Sequence, residues 1–343
     1  MESSRARRGS RARPSGRRPL LSRVLVCAAV LGASAAGTVY VKAQAHPGPG
    51  AVSSAAPSPS ASVSVSVSAG GEASVEPVFQ SESESESESE SESGARSGSG
   101  AGAVVDRDAL LAEAMASVTV PDAAAVSVAV LDVESGQSAV HGTGVFDTAS
   151  IVKVDILAAL LLQAQDAGRQ LTARERTYAT AMIENSDNDS ATALWNSIGG
   201  AAGLDAANLR FGLTGTRGGE GALWGLTRTT AADQLTLLRQ VFGTASKLSG
   251  ASRAYLQELM GQIAADQRWG VSAVADGSAW ALKNGWLPRT ATGLWDVNSI
   301  GRVTSGGHDY LVAVLSDGNG TRAEGIALVE AAAKAALSVF ADA

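Results

Sequence analysis

A low-complexity segment, residues 46–103, most constrains the fold because it cannot take part in a packed core. It is rich in Pro, Ser, Gly and Ala and contains a serine–glutamate alternation from Ser81 to Ser93. Such a segment buries too little apolar surface to offset its ordering entropy, and its glutamates repel one another. We expect a disordered, solvated spacer, which leaves residues 104–343 as one domain with a large core.

The segment before the spacer, residues 1–45, has the composition of an export signal. Residues 1–23 contain eight arginines and one acid, Glu2, and residues 24–41 form an almost continuous stretch of apolar and small residues. Ala43-Gln44-Ala45 resembles a cleavage site. If the signal is retained instead, its apolar stretch of about 18 residues is long enough to anchor the chain in a membrane. Both alternatives predict an extracellular or cell-envelope location for residues 104–343.

The cysteine and charge content exclude several further classes. Cys27 is the one cysteine of the chain and lies in the apolar stretch, so we expect no disulfide in the exported part. We do not expect Cys27 to carry a lipid, because no small residue precedes it in Val24-Leu25-Val26. Beyond residue 45 there are 18 basic and 33 acidic residues, a net charge of −15, which argues against nucleic acid as a partner.

Cofactor and metal sites are also not indicated. The three histidines, His46, His141 and His308, are too few and too scattered for a metal site. The chain has no phosphate-binding loop, no dinucleotide fingerprint and no Gly-x-Ser-x-Gly nucleophile turn. We therefore expect neither a metal nor a cofactor.

Hydrophobic periodicity predicts an α/β (α+β) domain in the order helix, strand pair, helical block, three strands, helix. Because strands come from both ends of the domain, they must meet in one antiparallel sheet if the helical block is a single insertion. The predicted helices cover 106–117, 151–165, 174–184, 189–198, 204–211, 230–242, 251–264 and 321–340. The predicted strands cover 126–133, a short partner ending at 141, 280–283, 294–302 and 310–315.

The first of three short motifs, Ser150-Ile151-Val152-Lys153, supplies a nucleophile and a base. A serine hydroxyl needs a group that takes its proton. Lys153 lies one helical turn after Ser150, on the same face, and can act as that base if it is held away from water and near other cations. A backbone N–H at this helix start can also stabilise an oxyanion. The alternative is a helix cap followed by a solvated lysine.

The second and third motifs are Ser186-Asp187-Asn188 and Lys283-Asn284-Gly285. Ser186 can relay a proton to a leaving nitrogen, and Asn188 can orient Lys153 and bind a substrate amide. Lys283 can pair with a substrate carboxylate, Gly285 can let the backbone lie against the substrate, and the N–H of Trp286 can serve as a second oxyanion donor. Helix capping and an edge-strand lysine are the structural alternatives, but the ordered set of three motifs favours catalysis.

On these motifs, residues 104–343 resemble the penicillin-recognising serine hydrolase superfamily, and within it class A β-lactamases. The resemblance implies a five-stranded antiparallel sheet flanked by helices, together with an all-helical lobe. It also implies an acyl-enzyme on Ser150, proton transfer by Lys153 and Ser186, a substrate contact at Asn188 and a carboxylate anchor at Lys283.

Two departures from the family pattern bear on the chemistry. Asn284 stands where family members usually have Thr or Ser, which changes one substrate hydrogen bond. A Glu-x-x-Leu sequence begins at Glu220, but Trp224 follows it where the family has Asn. Glu220 is therefore either the base that releases the acyl group or a surface acid. We expect the tryptophans other than Trp286 to pack in the core.

Three functions remain open. The first is an exported serine hydrolase that opens β-lactam (cyclic amide) substrates. The second is a penicillin-binding or D-Ala-D-Ala-processing acyl-enzyme that deacylates slowly. The third is a catalytically silent module that binds the cell wall. For the first two, the partner is a small β-lactam or a peptidoglycan peptide, and we expect a monomer.

Overall fold

The computed structural model describes residues 105–340, and the predicted export signal, with Cys27, and the predicted spacer lie outside them. The described helices are α1 Arg107–Ala116, α2 Val152–Asp166, α3 Ala173–Glu184, α4 Asn188–Ile198, α5 Gly200–Phe211, α6 Ala231–Phe242, α7 Gly250–Gly261 and α8 Arg322–Ser338. The described strands are β1 Ala125–Asp132, β2 Ser138–His141, β3 Phe146–Asp147, β4 Arg228–Thr229, β5 Trp280–Pro288, β6 Trp295–Ser305 and β7 His308–Asn319. Among these residues, no helix has the length and apolar composition needed to cross a bilayer.

The main sheet has five antiparallel strands in the order β2-β1-β7-β6-β5. Strand β1 from the start of the domain pairs with β7 from its end, with Val128 opposite Val314. The helices α2 to α7 lie in the sequence between these two groups of strands. The predicted α+β class and the five-stranded antiparallel sheet are therefore confirmed.

Helix α2 is the most buried of the described helices. Twelve of its fifteen residues are buried, including the charged residues Lys153 and Asp155. Apart from Lys153 and Asp155, residues 152–162 are apolar on all sides of the helix, as expected for a helix surrounded by protein. It packs on α4, α5 and α7. The helix thus carries Lys153 into the interior at its first turn.

The edge strand β5 is longer than its sequence suggested. The prediction ended at residue 283, but the strand continues to Pro288 because β6 supplies partners, with Trp286 opposite Val297 and Pro288 opposite Trp295. Strands β6 and β7 also run beyond their predicted ends. The third motif consequently lies in the middle of a strand, where side chains alternate between two faces.

The start of α2 differs from the prediction. A 3₁₀ turn, Ala149–Ile151, leads directly into the helix, and no side chain caps either element. The segment is held from outside instead: the amide of Asn298 on β6 donates to the carbonyls of Asp147 at 2.9 Å and Thr148 at 3.0 Å.

Gly285 on β5 lets this turn pack directly against the sheet. A Cβ atom at Gly285 would lie 2.7 Å from the backbone nitrogen of Ser150 and 2.8 Å from the nitrogen of Ile151 and the carbonyl oxygen of Thr148. The expected substrate contact at Gly285 stays a prediction, but the glycine also has a packing role. It makes room for the backbone that carries Ser150.

We expect Gly285→Ala to lower the free energy of unfolding by about 1–3 kcal/mol, because the added methyl group meets backbone atoms that cannot rotate away. Chemical denaturation measures this change. Gly261→Ala is the control, since nothing lies within 4 Å of its Cβ position. Equal stability of Gly285→Ala and the unsubstituted protein would contradict the packing argument.

Candidate active site

The ammonium group of Lys153 is the centre of a buried polar cluster. Its Nζ donates to the carbonyl of Ser186 at 2.6 Å, to the Ser186 hydroxyl at 3.0 Å and to Oδ1 of Asn188 at 2.8 Å. An ammonium has three hydrogens, so these three acceptors satisfy it completely. The structure thus brings the first two motifs together, with Asn188 orienting Lys153.

Burial makes Lys153 a usable base. Desolvation lowers its pKa from 10.5 to about 7, although the negative charge of Asp187 opposes the shift. The Asp187 carboxylate accepts a bond from the backbone N–H of Ser190 at the start of α4. A lysine with this pKa is partly neutral near pH 7 and can accept a proton from a hydroxyl.

Lys283 approaches the same hydroxyl from the sheet. Its Nζ donates to Ser186 Oγ at 3.0 Å and to the carbonyl of Asn284 at 2.9 Å, and its side chain is fully buried. Desolvation, and then the charge of Lys153, hold its pKa well below the usual value. An incoming carboxylate would favour protonation of this amine.

Ser186 accepts bonds from both lysines, and this arrangement directs its proton. A hydroxyl has two acceptor positions and one hydrogen. With both acceptor positions occupied by Lys153 and Lys283, the Ser186 hydrogen is available for a third group. This geometry is the one that a proton relay requires, and the expected relay role of Ser186 stays a prediction.

Backbone strain accompanies these groups. Among residues 105–340, Ala149 and Ser186 are the non-glycine residues in the left-handed region, with φ of +48° and +56°. Such conformations cost about 1–3 kcal/mol each and persist only where surrounding contacts impose them. One precedes Ser150 and the other is the relay itself. No sequence signal marked Ala149.

A cleft of about 580 Å³ opens beside the cluster. Ser150, Asn188 and Thr192 line one side, and residues 222–226 and 286–291 line the others. Among the described residues that line it, Arg289 carries the only charge, and none is an aspartate or glutamate. Ser150 and Asn188 therefore open to one shared cleft next to the two lysines.

The side chains of β5 alternate as a strand requires, which corrects the expectation for Asn284. Lys283 and Gly285 face the helical lobe, whereas Asn284 faces away. The Asn284 amide donates to the carbonyls of Gln267 at 2.7 Å and Trp269 at 2.9 Å. Because both hydrogens are used there, Asn284 is a structural residue in this arrangement and does not contact the cleft.

Trp286 follows the same alternation. Its ring packs against Trp269, with ring centroids 5.9 Å apart, and under the guanidinium of Arg322 at 4.0 Å. Trp286 also borders the cleft. What Trp286 can offer a substrate is therefore its backbone, as expected, rather than its indole.

Glu220 is not brought to the cluster. It is exposed to solvent and lies outside the described lining of the cleft. Trp224 meets Lys153 instead: its ring centroid lies 4.9 Å from Nζ, and its Nε1 donates to Thr192 Oγ1 at 3.1 Å. Trp224 is half-buried: it packs against the hydrophobic core, as expected, and it also borders the cleft, which was not expected. Its position after Glu-x-x-Leu was the one signal that could have indicated this.

No candidate metal centre accompanies the cluster. Within residues 105–340, no three His, Cys, Asp or Glu side chains come close enough to hold a metal ion. The reactive groups that the site itself supplies are hydroxyl, amine and backbone N–H groups.

A family model described as "Beta-lactamase enzyme family" matches residues 162–340, slightly more than half of the chain. The match includes Ser186, Asn188 and Lys283 but starts after Ser150 and Lys153. Curated relatives named "Putative lipoprotein LppW", from Mycobacterium tuberculosis and Mycobacterium bovis, are 27% identical over 171 residues. The alignment covers 48% of this chain and 54% of theirs, so the chain spans about half the length of the curated relatives it matches.

Solved structures show the same fold. A structure of PBP-A is 21% identical with a TM-score of 0.59, covering 68% of this chain and 97% of that one. TLA-1 extended-spectrum β-lactamase is 16% identical with a TM-score of 0.59, covering 68% and 98%. A class A β-lactamase from Bacteroides cellulosilyticus is 16% identical with a TM-score of 0.59, covering 70% and 100%. The β-lactamase-like fold expected from the motifs is thereby confirmed.

The lowered pKa of Lys153 predicts the pH dependence of Ser150 acylation. The reactive form has a neutral amine, so the rate should rise with pH, reach half its plateau near pH 7 and level off above it. Stopped-flow measurement with an acylating agent gives this profile. Lys153→Arg should abolish the rise, because a guanidinium stays protonated. A rate independent of pH between roughly 6 and 9 would contradict the assignment of Lys153 as base.

Proposed function

Because the chain belongs to the beta-lactamase enzyme family, we propose that it is a serine acyl-enzyme that reacts with β-lactam substrates through Ser150. The observation that carries the proposal is the pair of buried lysines that share the Ser186 hydroxyl beside the cleft that Ser150 lines. Two buried amines on one hydroxyl have no structural advantage over apolar side chains of similar volume. Their presence at one hydroxyl beside the cleft favours catalysis over a silent wall-binding module.

The proposed acylation uses each of these groups once. The Ser150 hydroxyl adds to the carbonyl carbon of the β-lactam while neutral Lys153 takes its proton. The ring C–N bond then breaks, and the nitrogen receives the hydrogen of Ser186, which is restored from Lys153. The backbone N–H groups of Ser150 and Trp286 are the proposed donors to the oxyanion.

Lys283 is proposed to recognise the substrate carboxylate. In the free protein, burial and Lys153 disfavour its charged form. An anionic substrate at the Ser186 hydroxyl supplies the missing negative charge, so that Lys283 takes up a proton on binding. Both β-lactams and peptides ending in D-Ala-D-Ala carry such a carboxylate.

The residues that line the cleft favour one kind of acyl side chain on the substrate. Apart from Ser150, Asn188 and Thr192, the lining includes several apolar residues, namely Leu223, Leu226, Leu287 and Pro288. Burial of an apolar substituent there contributes about 25 cal/mol per Å². This composition favours substrates whose acyl side chain is apolar and uncharged.

Release of the acyl group is proposed to be slow. Hydrolysis of an ester requires a water molecule and a base that activates it. Among the described residues, no carboxylate lines the cleft, and Glu220 is exposed outside it. This supports the penicillin-binding, slowly deacylating alternative over rapid β-lactam turnover. A solved PBP-A variant, 22% identical to this chain, is an acyl-enzyme complex with penicillin G, which is a property of that protein.

The location and assembly remain part of the proposal. The basic and apolar residues 1–45 favour export, with residues 104–343 outside the cytoplasm as a secreted or membrane-anchored domain. The lipoprotein name of the curated relatives is compatible with a cell-envelope location. We propose that the domain acts as a monomer, since Ser150, Lys153, Ser186 and Lys283 all come from one chain.

Treatment with penicillin G should add the mass of one penicillin to the protein, and the adduct should persist. Intact-mass spectrometry measures it. Ser150→Ala should reduce the acylation rate roughly a thousandfold or more, because it removes the nucleophile, whereas Ser135→Ala on an exposed turn should not. Rapid turnover of a chromogenic cephalosporin would contradict slow release. If neither an adduct nor turnover is detected, the catalytically silent module that binds the cell wall remains as the function.

Glu220→Gln tests the other possible base. Because Glu220 is exposed and lies outside the described cleft lining, we expect the lifetime of the adduct to change by less than about twofold. The rate of adduct loss after removal of free penicillin gives this lifetime. A tenfold longer lifetime would show that Glu220 reaches the acyl-enzyme.

A further inference from the structure

We infer that Trp224 sets the lifetime of the acyl-enzyme by keeping water away from Lys153 and from the ester on Ser150. The inference rests on the proposed acylation of Ser150 and identifies what controls its reversal. It assigns a role to a side chain that none of the three motifs contains.

The first support is the position of the indole ring. Its centroid lies 4.9 Å from Lys153 Nζ, and Trp224 borders the cleft that Ser150 lines. The ring therefore stands between the amine and part of the cleft. Among the described residues, Lys153 and Lys283 are the amines of this cluster with a lowered pKa, and Lys153 is the one beside the ring and one helical turn after Ser150. A water molecule that attacks the ester would most directly be activated there.

The second support is that hydrogen bonds fix the indole in this position. Nε1 donates to Thr192 Oγ1 at 3.1 Å, and Thr192 Oγ1 donates to the carbonyl of Asn188 at 3.0 Å. Asn188 in turn accepts from Lys153 through Oδ1. Trp224, Thr192, Asn188 and Lys153 thus form a closed ring of contacts in which the tryptophan and the lysine hold each other.

The loop that carries Trp224 is also tied to the segment before Ser150. The backbone N–H of Thr148 donates to the carbonyl of Thr227 at 2.8 Å, and Gly219 N–H donates to Thr227 Oγ1 at 3.1 Å. A Cβ atom at Gly219 would lie 2.1 Å from the carbonyl oxygen of Leu223, so the loop is tightly folded. The ring is therefore held at a set position relative to the nucleophile.

The chemistry of release explains why a covering ring matters. A water oxygen adds to the ester carbonyl carbon, the bond from that carbon to Ser150 Oγ breaks, and a proton returns to Oγ. The product is a free carboxylic acid. The attacking water must lose a proton to a base while it adds. Because the indole ring of Trp224 covers Lys153, the attacking water does not reach the base. Acylation needs no water.

Two effects of the ring on Lys153 oppose each other. An indole face attracts a cation by about 0.5–2 kcal/mol, which favours the ammonium. Exclusion of water favours the neutral amine. Burial is the main cause of the lowered pKa of Lys153, and the ring 4.9 Å from Nζ contributes to that burial. Loss of the ring should therefore raise this pKa toward its usual value.

The test compares adduct lifetimes and acylation pH profiles after treatment with penicillin G. Trp224→Ala should shorten the lifetime at least about tenfold, equal to 1.4 kcal/mol of barrier, and move the midpoint of the pH profile upward. Trp224→Phe keeps a ring over Lys153 but loses Nε1, so it should give an intermediate lifetime. Thr192→Val removes the partner of Nε1 together with the bond to the Asn188 carbonyl, and should also give an intermediate lifetime. Trp280→Ala removes a half-buried tryptophan outside the described cleft lining and is the matched control.

The outcomes separate this inference from the proposed function. If the adduct forms but neither its lifetime nor the pH midpoint changes in Trp224→Ala and Thr192→Val, the inference is overturned and the acyl-enzyme stands. If Trp280→Ala shortens the adduct lifetime as much as Trp224→Ala does, the cause is a general loosening of the protein structure. The inference is then also overturned. If the unsubstituted protein forms no adduct, the proposed function itself fails.

Discussion

The burial of two lysine amines against one serine hydroxyl is the interaction on which the rest of the site depends. Removing Lys153 and Lys283 from water is costly, and their mutual repulsion adds to the cost. Hydrogen bonds to Ser186, Asn188 and the carbonyl of Asn284 offset part of it. The part of this cost that the hydrogen bonds do not offset lowers the pKa values of both lysines. A lowered pKa is the property that a base for a serine nucleophile requires.

Three elements must converge to build this cluster, and each is constrained where they meet. Helix α2 is largely apolar, so that its first turn can carry Lys153 inward. Gly285 lets the turn before α2 contact β5. Ala149 and Ser186 adopt left-handed backbone conformations that are unfavourable for residues with a side chain. Strain and close packing are thus concentrated around the nucleophile and the relay.

The same arrangement separates the two halves of an acyl-transfer reaction. In the proposed reaction, acylation uses the Ser150 hydroxyl, a lowered-pKa amine and the Ser186 hydroxyl, and Ser150 lines a cleft beside this cluster. Deacylation adds a requirement for activated water, and the described lining of the cleft contains an indole over the amine and no carboxylate. Family membership alone does not distinguish these halves, because the match to the family model concerns the scaffold and two of the three motifs. The difference lies in the residues of a single loop.

The sequence by itself determined the class of fold and the set of reactive groups, whereas the tertiary structure decided which of them meet. Helix periodicity is local, so the helices were predicted to within a few residues, and the ordered motifs indicated Ser150, Lys153, Ser186 and Lys283. The length of β5, the outward direction of Asn284 and the contact of Trp224 with Lys153 were not predicted, and the exposure of Glu220 was one of two alternatives that the sequence left open. Each of these depends on partners distant along the chain, on β6, on the 267–269 segment or on α4. Local sequence shows what a side chain can do, but packing between remote segments decides which face of a strand or loop it occupies.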